Sequence, residues 1–142
     1  MPTPRARRKN RVFIQYAVPR RGVPSFSQFR KWARAASPGQ VTLRIVGERE
    51  GRRLNRTYRK KNRATNVLSF ATGDVVLCHP VIRREARAQG KSVAAHYAHL
   101  VVHGCLHLRG YRHERKRDAA CMEAREIRIL RRVGVRDPYA VE

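Results

Sequence analysis

The sequence predicts one α+β domain in which helices cover a small sheet. Strand-like patterns dominate the first half of the chain and helical patterns the second, which favours an α+β layer over a doubly wound sheet. The chain has 142 residues, 42% of them hydrophobic, which is enough for one packed core. No repeat or internal boundary divides residues 12–142, whereas residues 1–11, rich in arginine and proline, predict a loose basic arm.

Four segments have the composition of β-strands. Residues 12–18 (VFIQYAV) are rich in β-branched and aromatic side chains. Residues 41–46 (VTLRIV) alternate apolar and polar side chains, as a half-buried strand does. Two further strands, residues 66–71 and 74–78, follow and are joined by a short turn. Together these segments predict a small mixed sheet.

Five segments predict helices. The first opens at Pro24-Ser25 and stops at Pro38-Gly39. Its apolar residues recur at helical spacing and are Phe29, Trp32, Ala33 and Ala36. The other helices are predicted over residues 48–61, 81–90, 92–108 and 118–133. The inward side of the last helix is predicted to carry Ala120, Ala124, Ile127 and Leu130, and Gly134 ends it.

Charge is the most unusual property of the composition. The chain has 33 Lys and Arg residues against 10 Asp and Glu residues, a net charge of +23. A positive excess this large repels itself unless an anionic partner is near, so nucleic acid is the predicted partner. The alternatives are an anionic membrane surface and a merely solvated surface.

Nothing in the sequence predicts export or membrane insertion. The basic N-terminus has no apolar stretch behind it, and no apolar run approaches the length of a membrane-spanning helix. Cys78, Cys105 and Cys121 are odd in number and widely spaced, so they predict no disulfide framework. We therefore expect a soluble, cytoplasmic protein.

Histidines carry the strongest chemical signal. On a helix, four of them fall within about 80° of one another: His96, His99, His103 and His107. The surrounding residues are apolar, so the helix should be buried, and each buried ring nitrogen needs a partner. A lone histidine on such a face is usually a hydrogen-bonded core residue, but a pair four residues apart can bind one ion.

A third imidazole can reach the same ion. Gly110 permits a sharp exit from the helix, which lets the chain return His113 toward His103 and His107. Three imidazole nitrogens and a water form the open coordination of a catalytic zinc. The sequence therefore predicts one metal site at the end of a buried central helix, with Cys105 pointing elsewhere into the core.

The histidine spacing also matches the metzincin peptidase pattern H-E-x-x-H-x-x-G-x-x-H. Gly104 stands where those peptidases carry the glutamate that serves as general base. A metallopeptidase is therefore disfavoured, and the pattern predicts the same metal chemistry directed at another substrate.

Residues 103–113 (HGCLHLRGYRH) resemble the H-G-x-L-H-L-x-G-Y-D-H signature of the YbeY family of bacterial endoribonucleases. Residues 54–70 resemble the family's L-N-x-x-Y-R and T-D-V-L-S-F segments, and residues 137–139 (DPY) resemble its tail. The resemblance implies a zincin-like α+β domain and one Zn²⁺ held by His103, His107 and His113. It also implies that Arg59 is needed for activity.

The resemblance further implies a role in rRNA maturation, including 16S rRNA 3′-end processing, and in ribosome quality control. Ribosomal RNA and the ribosome's small subunit would be the partners, with no small-molecule cofactor and no membrane. Arg112 and Asn66 stand where the family pattern has aspartates. Since these changes remove two carboxylates, a non-cleaving, zinc-stabilised RNA- or ribosome-binding assembly factor is the alternative function.

The expected reaction is attack on phosphorus by a metal-activated water or by an RNA 2′-hydroxyl. Asp74 and Glu114 are the candidates for the general base. A guanidinium such as that of Arg59 can grip a phosphate with two hydrogen bonds and take up negative charge in the transition state. The sequence leaves the oligomeric state and the cleavage site open.

Overall fold

The computed structural model of the chain describes residues 11–111 and 115–140. Within these ranges the chain forms four strands and five helices. The strands are β1 (Val12–Tyr16), β2 (Val41–Val46), β3 (Val67–Phe70) and β4 (Asp74–Cys78). The helices are α1 (Phe26–Ala36), α2 (Glu48–Arg59), α3 (His79–Gln89), α4 (Val93–Leu108) and α5 (Lys116–Arg132).

The four strands form one mixed sheet in the order β1-β2-β4-β3. β2 runs parallel to both β1 and β4, whereas β3 is antiparallel to β4. A tight turn joins β3 to β4, in which Gly73 adopts a φ of 97°, a conformation that favours glycine. The predicted α+β class and mixed sheet are thus confirmed, and β3 lies at an edge of the sheet.

Helices cover both faces of the sheet. On one face α1, α4 and α5 enclose the larger core, in which the Phe29 ring packs edge-on against Trp32 and Tyr97. On the other face a smaller cluster joins Leu54 of α2 and Val81 of α3 to the sheet. The predicted apolar side of α1 is confirmed, because all four of its residues are buried.

Helix α4 lies at the centre of the larger core. The Ser92 hydroxyl caps it by accepting a hydrogen bond from the Ala95 amide at 3.0 Å. Gly104 packs directly on the sheet: a Cβ at this position would lie 2.7 Å from Val75 Cγ1 and 3.1 Å from Ser69 Oγ. A glutamate at residue 104 would collide with the sheet, so this glycine lets the helix approach β3 and β4. Cys105 is fully buried, as predicted.

The structure corrects the predicted orientation of the last helix. Ala120 and Ala124 are exposed on α5. The buried residues of this helix are Met122, Glu126, Ile129 and Leu130. The prediction placed the alanines inward because they are apolar, and it did not place Glu126 inward because a glutamate is charged. Glu126 faces inward because histidines of α4 provide its hydrogen-bond partners.

Several predicted element ends move by a few residues. The first strand ends at Tyr16, and α3 begins at His79 with a proline in its first turn. Helix α2 ends at Arg59, because Lys60 takes a left-handed conformation with a φ of 60°. Residues 1–10 of the predicted arm lie outside the described residues, and the arm–domain division stays a prediction. Across the described ranges, no helix has both the length and the apolar character needed to cross a bilayer.

Candidate metal centre

Helix α4 presents the predicted row of imidazoles. The ring centroids of His96 and His99 are 6.3 Å apart, those of His99 and His103 are 6.1 Å apart, and those of His103 and His107 are 4.7 Å apart. His103 and His107 thus form the tightest pair, and both are partly exposed. His113 lies outside the described residues, so its place beside them stays a prediction.

A buried carboxylate from α5 contacts this row. Glu126 is fully buried, and its Oε2 lies 2.5 Å from Nδ1 of His103. Its other oxygen, Oε1, accepts a hydrogen bond from the Tyr139 hydroxyl and lies 3.5 Å from Nε2 of His99. Nε2 of His99 also lies 3.1 Å from the Tyr139 hydroxyl. Two histidines of α4 and a tyrosine near the C-terminus therefore converge on one carboxylate.

The charge of Glu126 follows from these contacts. Burial by itself would raise the pKa of Glu126, but hydrogen bonds from His103, His99 and Tyr139 outweigh burial and lower the pKa to about 2. Glu126 is then ionised at neutral pH and can only accept hydrogen bonds. Nδ1 of His103 must therefore carry the proton, which leaves Nε2 of that ring with the lone pair that a metal requires.

Among the described residues, His99, His103 and Glu126 form a group that could hold a metal ion, since their ligand atoms lie within 4.8 Å of one another. An ion at their centre would displace the hydrogen bonds that Glu126 now accepts from His103 and Tyr139. In the predicted site, by contrast, His103 would use Nε2 and Glu126 would stay hydrogen-bonded to Nδ1. Imidazole nitrogens suit zinc and similar transition metals better than magnesium or calcium.

Arg59 lies at the free edge of the sheet. Its Nη2 donates a 2.9 Å hydrogen bond to the carbonyl oxygen of Ser69 in β3. The Ser69 hydroxyl in turn donates to the carbonyl oxygen of Gly104 at 3.0 Å. Gly104 follows His103, so one residue of β3 connects Arg59 to the helix of the candidate metal centre. The catalytic role predicted for Arg59 stays a prediction.

Asn66 lies in a different cluster. Its amide nitrogen donates to Oε1 of Glu85 at 3.0 Å, and Nε2 of His96 contacts the same oxygen at 2.9 Å. Burial lowers the pKa of His96, which favours its neutral form. His96 precedes His103 by two helical turns, about 10 Å. The Asn66 amide thus belongs to a cluster with Glu85 and His96, and the loss of activity expected where Asn66 replaces the family's aspartate stays a prediction. Arg112 lies outside the described residues.

Of the two candidate general bases, Asp74 and Glu114, only Asp74 lies among the described residues. Asp74 begins β4, where its carboxylate accepts a hydrogen bond from the Thr72 hydroxyl at 2.5 Å. This contact belongs to the turn between β3 and β4. Glu114 lies outside the described residues. The structure therefore assigns no general base.

Sequence reasoning missed Glu126 and Tyr139. A signal for Glu126 was present, because it stands in line with Met122 and Ile129 at helical spacing on an otherwise apolar stripe. Tyr139 belongs to the DPY segment that was noted only as part of the family resemblance. The Tyr139 hydroxyl donates a hydrogen bond to Glu126, 13 residues earlier in the chain. No local sequence pattern predicts this tertiary contact.

Fold and site together define a class: an α+β domain whose central helix carries a row of histidines beside a buried carboxylate. A family model described as "Endoribonuclease YbeY" matches residues 20–134. The chain therefore belongs to the YbeY endoribonuclease family, as its histidine signature predicted.

Curated relatives agree with this assignment. "Endoribonuclease YbeY" of Xanthomonas axonopodis pv. citri is 48% identical over 151 residues, which cover 92% of this chain and 94% of that protein. The protein of the same name from Nitrosomonas europaea is 48% identical over 138 residues, 91% of this chain and 84% of its own length. A solution structure of a Thermotoga maritima protein shares the fold, with a TM-score of 0.56 and 21% identity over 92% of this chain and 99% of that one.

Proposed function

We propose that this chain is a metal-dependent endoribonuclease specific for single-stranded RNA, acting in rRNA maturation that includes 16S rRNA 3′-end processing. Membership of the YbeY family supports an endoribonuclease role in rRNA processing and does not favour a non-cleaving assembly factor. The observation that carries the metal-dependent part is the buried Glu126 carboxylate at Nδ1 of His103, which presents Nε2 of that ring to an ion.

The proposed cofactor is one Zn²⁺ per chain, held by His103, His107 and His113. The 4.7 Å separation of the His103 and His107 rings supports the first two ligands. His99 would support the ligands through Glu126 and Tyr139 rather than bind the ion. When bound, the ion would supply a Lewis acid for the phosphate and an acidified water.

The chain's own residues would supply positioning and charge. Glu126 holds the Nδ1 proton of His103 and so fixes the orientation of the ring. Arg59 would bind a non-bridging phosphate oxygen and stabilise the negative charge that develops there. Its bonds to the Ser69 and Tyr58 carbonyl oxygens, at 2.9 and 3.4 Å, use two of the five guanidinium N–H groups, so donors remain for a phosphate.

Ribosomal RNA is the proposed substrate, and the small ribosomal subunit the proposed partner. The net charge of +23 supports binding to an RNA backbone, with an affinity that should fall steeply as salt is added. The proposed location is the cytoplasm, where ribosomes are assembled.

The test compares two arginines of the last turn of α2. Arg59 and Arg56 are both exposed, but Arg59 alone of the two is hydrogen-bonded to Ser69. Arg59→Ala should keep its fold and metal yet lose most cleavage of labelled rRNA, whereas Arg56→Ala should lose little. Equal rates in the two variants would remove Arg59 from the proposed mechanism. The same preparations would also be incubated with a denatured protein. If wild type and both variants cleave that protein but no RNA, the chain is a peptidase.

A further inference from the structure

A cluster of three side chains lies across β3 from the candidate metal centre. Val67 and Ser69 of β3 face Gly104 of α4, so the alternate residues of this strand point to the other face of the sheet. There Phe70 meets Tyr58, with ring centroids 5.2 Å apart and the planes at 76°. The guanidinium carbon of Arg59 lies 5.4 Å from the centroid of the Phe70 ring. We name Tyr58, Arg59 and Phe70 the aromatic platform.

Tyr58 is unusually exposed for a tyrosine that packs against another ring. It is 56% exposed, more than Phe13, Phe26 and Tyr139, the other large apolar residues exposed in the described chain. Its edge-to-face contact with Phe70 uses only part of its surface. The rest of the ring is therefore open to a planar ligand.

The surroundings of the aromatic platform are cationic. The salt bridges of α2 involve Glu48 and Glu50, at the start of the helix. The end of the helix and the loop after it carry exposed cations without a carboxylate partner among the described residues, namely Arg56, Arg59, Lys60, Lys61 and Arg63. An exposed ring flanked by cations suits a ligand that has both a flat face and a phosphate.

We infer that the aromatic platform binds one unpaired base of the substrate RNA, stacked on Tyr58, while Arg59 holds a phosphate beside it. The inference rests on the proposed function, because it explains how the proposed endoribonuclease would select single-stranded RNA. A base in a duplex is stacked between its neighbours and cannot lie on a side chain, whereas a base in a single strand can. The aromatic platform would thus contribute the preference for unpaired RNA.

The position of the aromatic platform suits this role. Arg59 bonds the Ser69 carbonyl, and the Ser69 hydroxyl bonds the carbonyl of Gly104, the residue after His103. Phe70 belongs to the edge strand β3, and the opposite side of this strand packs on Gly104 of α4. A base stacked on Tyr58 would therefore fix the RNA strand along this edge and set which phosphate lies near His103.

Binding measurements with altered protein and altered RNA test the inference. The variants are Tyr58→Leu, which keeps an apolar side chain without a ring face, and Tyr58→Phe, which keeps the ring. Phe26→Leu is the matched control, since Phe26 is another exposed aromatic residue, 43% exposed, at the start of α1. Fluorescence anisotropy would measure the Kd of each for a single-stranded 12-nucleotide RNA, for a duplex, and for RNAs lacking one base at each position in turn.

Loss of the stack should weaken the binding of intact single-stranded RNA to Tyr58→Leu about tenfold. Tyr58→Phe and Phe26→Leu should stay within about twofold of the wild type. For the RNA that lacks the stacked base, wild type and Tyr58→Leu should bind equally. An unchanged Kd in Tyr58→Leu would overturn the inference. An equal loss on every RNA, duplex included, would also overturn it.

Cleavage of the same RNAs separates this inference from the proposed function. If the wild type cuts RNA with metal present and Tyr58→Leu binds normally, only the stacking site is wrong. If the wild type never cuts RNA while the base-dependent loss in Tyr58→Leu is observed, the proposed function is wrong and the stacking site remains. Thermal unfolding and metal content equal to those of the wild type would show that Tyr58→Leu is folded.

Discussion

Oε2 of Glu126 in α5 lies 2.5 Å from Nδ1 of His103 in α4, although the two residues are 23 positions apart in the sequence. A buried, ionised carboxylate at one nitrogen of an imidazole makes the other nitrogen a better metal ligand, because it fixes the tautomer and the orientation of the ring. Tyr139 and His99 complete the environment of the same carboxylate.

The first prediction concerns metal affinity. Glu126→Gln should weaken metal binding about 10- to 100-fold, because an amide is a poorer acceptor for the Nδ1 proton and can instead donate to that nitrogen. Competition with a zinc-binding dye would measure the affinity. Asp118→Asn, at the start of the same helix, is the control and should bind metal as the wild type does. Equal affinities in the two variants would show that Glu126 does not support a ligand.

The second prediction concerns stability and pH. The pKa of Glu126 lies near 2 in the folded chain, below its ordinary 4.5, so its stabilisation is fully present above pH 4.5 and is lost as pH falls toward 2. This shift corresponds to about 3 kcal/mol at pH 7. The difference in unfolding free energy between wild type and Glu126→Gln should therefore be about 1 kcal/mol smaller at pH 4 than at pH 7.

Urea denaturation of the metal-free protein at the two pH values would measure this difference. Removing the metal matters, because an ion that binds only the folded state adds its own pH-dependent stabilisation. A difference that is the same at pH 4 and pH 7 would contradict the prediction.

The third prediction concerns Tyr139. Tyr139→Phe removes the hydroxyl that donates to Glu126 and should destabilise the fold by about 1 kcal/mol. Metal affinity should fall less than in Glu126→Gln, since the bond to His103 is retained. Thermal unfolding and the same dye competition would measure the two effects. A metal affinity lower than that of Glu126→Gln would show that Tyr139 acts on the site more directly.

The fourth prediction concerns Gly104. A methyl group there would meet Val75 Cγ1 at 2.7 Å, and relieving such overpacking costs about 1–3 kcal/mol. The better helix propensity of alanine would offset about 1 kcal/mol of this cost, so the net destabilisation of Gly104→Ala should reach up to about 2 kcal/mol. Gly39→Ala, where nothing lies within 4 Å of the added Cβ, is the control. Calorimetry showing Gly104→Ala to be as stable as Gly39→Ala would contradict the packing argument.

Local sequence patterns were sufficient to predict the features of the fold that depend on a single segment of the chain. The apolar side of α1 and the histidine row of α4 follow from helical spacing alone, and the structure has both. The inward face of α5 could not be obtained in this way. Glu126 is buried because α4 supplies its partners, and that pairing exists only once the two helices have packed.

The same reason explains the position of Asn66. In the sequence Asn66 stands three residues before Ser69, whose carbonyl oxygen accepts a hydrogen bond from Arg59. In the fold it lies just before β3, where its carbonyl pairs with the Cys78 amide and its side chain turns to Glu85 of α3. The packing of α3 against the sheet, which the local sequence does not reveal, places the Asn66 side chain beside Glu85.

Metal-dependent RNA cleavage tests the central claim most directly. Wild type and His107→Ala would be stripped with a chelator, given zinc in steps up to one equivalent, and assayed on a single-stranded fragment from the 3′ end of 16S rRNA. We expect no cleavage by the stripped wild type, a rate that rises with zinc until one ion per chain is bound, and little cleavage by His107→Ala at any of these additions. Cleavage by the stripped wild type at the full rate, or a His107→Ala variant that binds one zinc and cuts as fast as the wild type, would contradict the account.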